Sequence, residues 1–207
     1  MWNEKGGGGL NVSSRLASKN GQRRCRRNIA RYQCMKLLNW IRFTWNLTQL
    51  PSSDLHLPAH YQIAPATPED ERELRKVFSS SFLLDPIWNP VIGEVMQSIQ
   101  SRLDGVFTST NGTCLALRHG ARIIGAAVLS LEFDAEDHLA PGPCILMEYR
   151  NRGNGTLLLA NSLRLLRDAG LVRASALAPD YVPVSKFLYP KFKSVISPGE
   201  IAPPLAA

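Results

Sequence analysis

The sequence predicts an α/β (α+β) domain, a sandwich of helices around one central sheet, preceded by a basic segment of poor order. Three observations predict it. Charge divides unevenly: residues 1–57 hold ten Lys and Arg against Glu4 and Asp54, while residues 58–207 hold fourteen bases against fifteen acids. Beyond Pro51 and Pro58, stretches of strand-like and helix-like apolar spacing follow one another. Near residue 150, two glycines interrupt the chain between an apolar strand and an amphipathic helix.

Length and composition agree with one core. A chain of 207 residues holds a full domain with an appendage rather than two ordinary domains. Hydrophobic residues at 44% and charged residues at 20% argue against wholesale disorder or a fibrous repeat. The longest uncharged apolar run, residues 123–131, is too short to cross a bilayer as a helix and reads as a buried strand. Cys25, Cys34, Cys114 and Cys144 include no C-x-x-C pair, which favours reduced thiols in a cytoplasmic protein.

The elements follow in order. Residues 1–57 form an extension that is disordered or loosely helical: Gly6 to Gly9, several serines, then Arg23, Arg24, Arg26 and Arg27 offer no periodicity a core can use. Between residues 29 and 50, Tyr32, Trp40, Phe43 and Trp45 mix with Arg31, Lys36 and Arg42. Four readings stay open there: a basic amphipathic helix for a membrane surface or nucleic acid acting through residues 15–45, a helix docked on the domain, a targeting-like segment, or sequence that never folds. The domain proper spans residues 58–207. Residues 61–64 suit a short strand, and Thr67, Pro68 and Asp70 mark a helix start. Leu74, Val77, Phe78 and Ser81 form that helix's buried side. After the Asp85-Pro86 and Asn89-Pro90 breaks, Val91, Val95, Ile99 and Leu103 recur at helical spacing up to Gly105. Residues 113–118 and 122–133 read as an antiparallel hairpin turning at His119 and Gly120, and residues 144–147 as a further apolar strand.

Glu148-Tyr149-Arg150-Asn151-Arg152-Gly153-Asn154-Gly155-Thr156 is the segment that carries chemistry. Gly153 and Gly155 permit a tight turn and a close approach of the backbone to a ligand, and the following helix aims unpaired N–H groups and its positive end at the same place. Such a turn binds phosphate oxygens. Arg150 and Arg152 add positive charge. In the helix, Leu159, Leu163 and Leu166 share one face, and Gly170 caps it. A dinucleotide fingerprint fails because its third glycine would fall on Leu158, and no Gly-Lys-Ser/Thr follows for a triphosphate site.

This segment resembles the acetyl-CoA-binding motif of the GNAT acetyltransferase superfamily: Arg or Gln, two residues, Gly, one residue, then Gly or Ala. The resemblance covers about residues 61–195 and extends to the element order, which adds a strand over residues 171–178 and a last helix over residues 181–191, where Leu188-Tyr189-Pro190-Lys191 is similar to the family's Leu-Tyr-x-Lys. It implies a GNAT-like mixed, mostly antiparallel sheet and an N-acetyltransferase that moves an acetyl group from acetyl-CoA, without a metal, to a primary amine of a small molecule or protein. It implies that main-chain N–H groups from Arg152 to Thr156 hold the pyrophosphate, that the strand at Ile145 to Met147 pairs with the pantetheine arm, and that Arg150, Asn151 and Asn154 belong to the same cofactor site. Tyr189 becomes the proton donor to the departing thiolate. Glu132 becomes the base that deprotonates the amine, with Asp134, Glu136, His138 or a water relay as rivals.

Several positions depart from the family. Met147 stands where proline is common, and Val182 and Ser185 replace the Asn and Ala that precede the tyrosine. Pro190 places Tyr189 in a kinked or ending segment, and the Ala and Pro-rich tail implies a short final strand. The altered surroundings of Tyr189 keep open a second reading, a catalytically inactive CoA-binding regulatory or interaction module. Phe82 and Trp88 either line an acceptor pocket or pack the core.

Overall fold

A computed structural model describes residues 39–51, 56–108 and 111–199. The chain divides into two compact units, and the first, Met1–Leu37, lies outside the described residues. The expectations for the glycine- and arginine-rich start therefore fall on undescribed sequence.

The second unit begins earlier than residue 58. Trp40–Asn46 forms strand β1, which pairs antiparallel with β6 (Arg173–Pro179) on one side and β7 (Val195–Pro198) on the other. The boundary after residue 57 and the helical reading of this stretch are thereby corrected. The physical reason is a period of two: Phe43 and Trp45 are fully buried, while Arg42 before them and Thr44 between them are only half-buried. Aromatic and β-branched residues at that spacing fit a pleated surface.

The remaining elements follow the predicted order. β2 (Tyr61–Pro65) leads into α1 (Glu71–Leu83), whose entry is fixed by a capping box between Thr67 and Asp70. Leu74, Val77, Phe78 and Ser81 are its buried residues, as the spacing requires. α2 (Ile92–Val106) follows, then the hairpin of β3 (Gly112–His119) and β4 (Arg122–Ser130), with Gly120 at φ 58° in the turn. β5 is cut to Cys144–Ile145, since Met147–Tyr149 makes a 3₁₀ turn instead of continuing the strand. α3 (Asn154–Asp168) then leads through Gly170, at φ 96°, to β6.

The strands form two sheets, β2-β3-β4-β5 and β6-β1-β7, rather than one. Residues 136–139 stitch them together: Ser130 donates its N–H to the His138 carbonyl, and His138 donates its own to the Ser175 carbonyl on β6. Two apolar cores lie on opposite faces. Cys114, Ala116, Ala126 and Val128 meet α1 and α2, whereas Leu115, Leu117, Ala127 and Leu129 meet α3 and β1. An irregularity after Leu117 makes Ile124 the unpaired residue of β4. The last helix is reduced to a single π turn, Val184–Leu188, and a 3₁₀ turn, Tyr189–Phe192, because Pro190 has no N–H to give. Among the described residues no helix is long and apolar enough to cross a membrane.

Candidate functional site

The glycine turn between β5 and α3 is open. Asn151, Arg152 and Gly153 are exposed, and Gly155 and Thr156 are half-exposed. Gly153 caps α3 with φ 80° and ψ −9°, a left-handed conformation that a residue with a Cβ enters at a cost. Among the described residues no hydrogen bond engages the main-chain N–H of Arg152, Gly153, Asn154, Gly155 or Thr156; the first one returned within the helix is that of Leu157, to the Gly153 carbonyl at 3.1 Å. Five donors at the positive end of a 15-residue helix make a site for an anion. Asn154 is buried and its side chain donates to the Tyr149 carbonyl at 2.9 Å, so it shapes the turn.

Arg150 and Arg152 take different roles. The Arg150 guanidinium is committed to protein atoms: Nε donates to the Ile145 carbonyl at 3.0 Å, one terminal nitrogen to the Ser81 carbonyl at 2.8 Å, and the other meets the Asp85 carboxylate at 2.8 Å. It ties β5 to the end of α1, and the sequence expectation that it supplies charge to a pyrophosphate is corrected on that ground. Arg152 is exposed, with its guanidinium 5.8 Å from the Tyr149 ring centre, and remains a cation at the turn.

β5 is an edge strand. Leu146 donates to the Ile124 carbonyl, so in this antiparallel ladder Ile145 directs its N–H and carbonyl away from β4; the carbonyl accepts from Arg150 Nε, which leaves the N–H as the open group of this edge. Gly155 lies beside this strand: a Cβ there would lie 3.5 Å from Leu188 Cδ2 and 4.0 Å from Ile145 Cγ1, in ordinary contact, but a branched side chain would fill the space between them. Met147 is largely exposed in its 3₁₀ turn.

Tyr189 sits deep at the divide between the sheets. It is only 2% exposed, its ring edge-on to Phe43 at 4.8 Å and to Trp45 at 5.0 Å. Its hydroxyl lies against Gly142, where a Cβ would overlap it. Burial, then the neighbouring Asp137 and Cys144, push the phenol above its ordinary range, so it stays protonated.

The nominated bases are not gathered with it. Glu132 is exposed and accepts from the Asn111 side chain at 3.1 Å, on the β3 side of β4 and thus away from β5 and β6. Asp134 and Glu136 are exposed. His138 is buried, but its Nδ1 accepts from the Ser175 N–H at 3.2 Å, and burial holds the imidazole below its usual range. The residue between these rivals is the one placed near Tyr189. The Asp137 side chain is 16% exposed, and burial pushes its carboxyl up to about 7 against the pull of Arg102, the main-chain N–H groups of Leu139 and Leu177, and Arg42. No sequence signal separates it from Asp134 or Glu136; only the stitching of residues 136–139 between the sheets does so. Phe82 and Trp88 pack edge to face at 4.9 Å, with Phe82 buried, which is core packing.

No protein-family model matches the sequence, and no curated protein does. Solved structures do match. A GCN5-related N-acetyltransferase from Sphaerobacter thermophilus aligns with a TM-score of 0.52 at 14% identity, over 78% of this chain and 49% of that one. A Drosophila protein gives 0.52 at 12% identity, over 78% of this chain and 48% of that one. A GNAT family acetyltransferase from Brucella melitensis, in complex with acetyl-CoA, gives 0.41 at 25% identity, over 54% of this chain and 71% of that one. The chain thus spans about half the length of the first two. Its antiparallel sheets flanked by helices, with an open glycine turn at the start of α3, have the fold of the GCN5-related N-acetyltransferases.

Proposed function

We propose that this protein is an N-acetyltransferase that uses acetyl-CoA as co-substrate and acetylates a primary amine. The observation that carries this reading is the row of unpaired N–H groups from Arg152 to Thr156 at the mouth of α3, next to the edge strand β5. These donors fit a pyrophosphate, and the outward N–H of Ile145 fits an amide-bearing arm laid along the strand. Acetyl-CoA supplies an activated acyl thioester. Arg152 adds a cation at the phosphate end, Gly155 leaves room between Ile145 and Leu188, and the Tyr189 hydroxyl donates a hydrogen bond at the far end of the divide. The amine exchanges one N–H for an N–acyl bond, and the thioester sulfur leaves as a thiol.

The test is a melting curve with saturating acetyl-CoA, followed by thiol release with primary amines. Acetyl-CoA raises the melting temperature of the unmodified chain, and Gly155→Val abolishes the rise by filling the space beside Ile145. An unchanged melting temperature at saturating acetyl-CoA would remove the basis of the proposal.

A further inference from the structure

The geometry points to Asp137 as the group that receives the acceptor: its carboxylate binds a cationic primary amine as the ammonium and takes one proton from it beside the Tyr189 hydroxyl. The inference rests on the acetyl-CoA reading above and adds a residue and a charge to it.

Three observations support it. Asp137 Oδ1 is buried and has no hydrogen-bond partner among the described residues, although a buried carboxylate oxygen left unpaired is costly. Oδ2 faces Arg102 of α2 at 3.8 Å, beyond a direct hydrogen bond, so this cation steadies the carboxylate without occupying Oδ1. The backbone on either side is held firmly. Arg42 of β1 and the Ser175 hydroxyl both donate to the Glu136 carbonyl, and His138 is bonded to β4 and β6 at once. Asp137 is therefore a fixed acceptor near the Tyr189 phenol, with the Leu139 and Leu177 main-chain N–H groups beside its carboxyl and Oδ1 left without a partner of ordinary geometry.

The proton balance is simple. One N–H bond of the ammonium breaks, an O–H bond forms on Asp137, and the lone pair stays on nitrogen. Asp137 returns to the carboxylate by releasing that proton to solvent. The charged and titratable groups that face it are Arg102 from α2, Arg42 from β1 and Tyr189 from the last turn, and the main-chain N–H groups of Leu139 and Leu177 lie beside it. Within its own segment, the Glu136 side chain is exposed and the His138 ring is turned to Ser175.

The experiment uses two thioethers of CoA, one with an S-ethyl and one with an S-(2-aminoethyl) group, titrated by calorimetry into the full chain and into Asp137→Asn. The unmodified chain should prefer the aminoethyl compound by at least about tenfold at pH 8, and Asp137→Asn should lose that preference while binding the ethyl compound equally well. Equal binding of the two compounds by the unmodified chain, or a preference retained in Asp137→Asn, overturns the assignment while leaving the acetyl-CoA reading intact. Failure of the unmodified chain to bind either compound overturns the acetyl-CoA reading and this inference with it. A second measurement needs no variant: the preference should grow as pH rises through about 7, and a flat profile would overturn the assignment even if Asp137→Asn did not fold.

Discussion

Replacing Arg150 separates a clamp from a phosphate ligand. The guanidinium makes three hydrogen bonds to three segments: the Ile145 carbonyl on β5, the Ser81 carbonyl in α1, and the Asp85 carboxylate after it. Its side chain is 30% exposed and that of Asp85 19%, so the ion pair is screened only in part. Hydrogen bonds to a charged group contribute about 1.5–3 kcal/mol each, and truncation leaves two carbonyls and a carboxylate without their donor. Discounting for exposure and for residual water access, Arg150→Ala should cost about 3–5 kcal/mol in urea unfolding followed by tryptophan fluorescence. Arg150→Lys should lose most of the same amount, because one ammonium cannot reach acceptors on three segments. Arg152→Ala should leave stability within about 0.5 kcal/mol and weaken acetyl-CoA binding severalfold. The reverse pattern, an unchanged urea midpoint in Arg150→Ala with acetyl-CoA affinity lost, would refute the clamp.

Two further outcomes follow from the same contacts. A chain starting at residue 58 lacks β1, with its fully buried Phe43 and Trp45 and its pairing to both β6 and β7, so it should show no cooperative thermal transition; a sharp melt from that fragment would show β1 to be dispensable. Asp137→Asn should change how stability depends on pH. With the folded carboxyl near 7 and its ordinary value at 3.8, the folded state binds more protons between those limits, so stability falls as pH rises from about 4 to about 7. The variant should lack that fall and gain up to about 4 kcal/mol above pH 8 at the upper limit. Parallel curves of melting temperature against pH for the two proteins would contradict this.

Most of the fold was legible because its elements announce themselves locally. The Thr67 to Asp70 capping box, the buried stripe of α1 and the Gly120 turn are short-range signals that the structure reproduces. The glycine turn was legible for the same reason, since Gly153 takes a conformation that favours glycine. What escaped was set at long range. β1 follows a basic stretch, and its alternation is seven residues long, so it becomes recognisable only once β6 and β7 are known to flank it. Arg150 looked like a phosphate ligand because the positions of Ser81 and Asp85 relative to it depend on α1 packing against the sheet. Asp137 was passed over for its neighbours because only the pairing of residues 136–139 with β4 and β6 decides which acid in that loop turns inward.

The two ends of the described chain meet at the one residue whose role the sequence left most open. Tyr189 stands in a turn broken by Pro190, without the regular helix that would otherwise hold its ring. Its orientation must come from tertiary contacts, and these are Phe43 and Trp45 of β1 with Gly142 before β5. Edge-to-face pairs contribute about 0.5–1.5 kcal/mol each beyond burial, enough to select one ring position over a competing rotamer. Gly142 sets the depth, because a side chain there would occupy the place of the hydroxyl. The strand that precedes the expected domain boundary thus does what a longer last helix would do, and the proline after the tyrosine is tolerated because β1 has taken over the positioning.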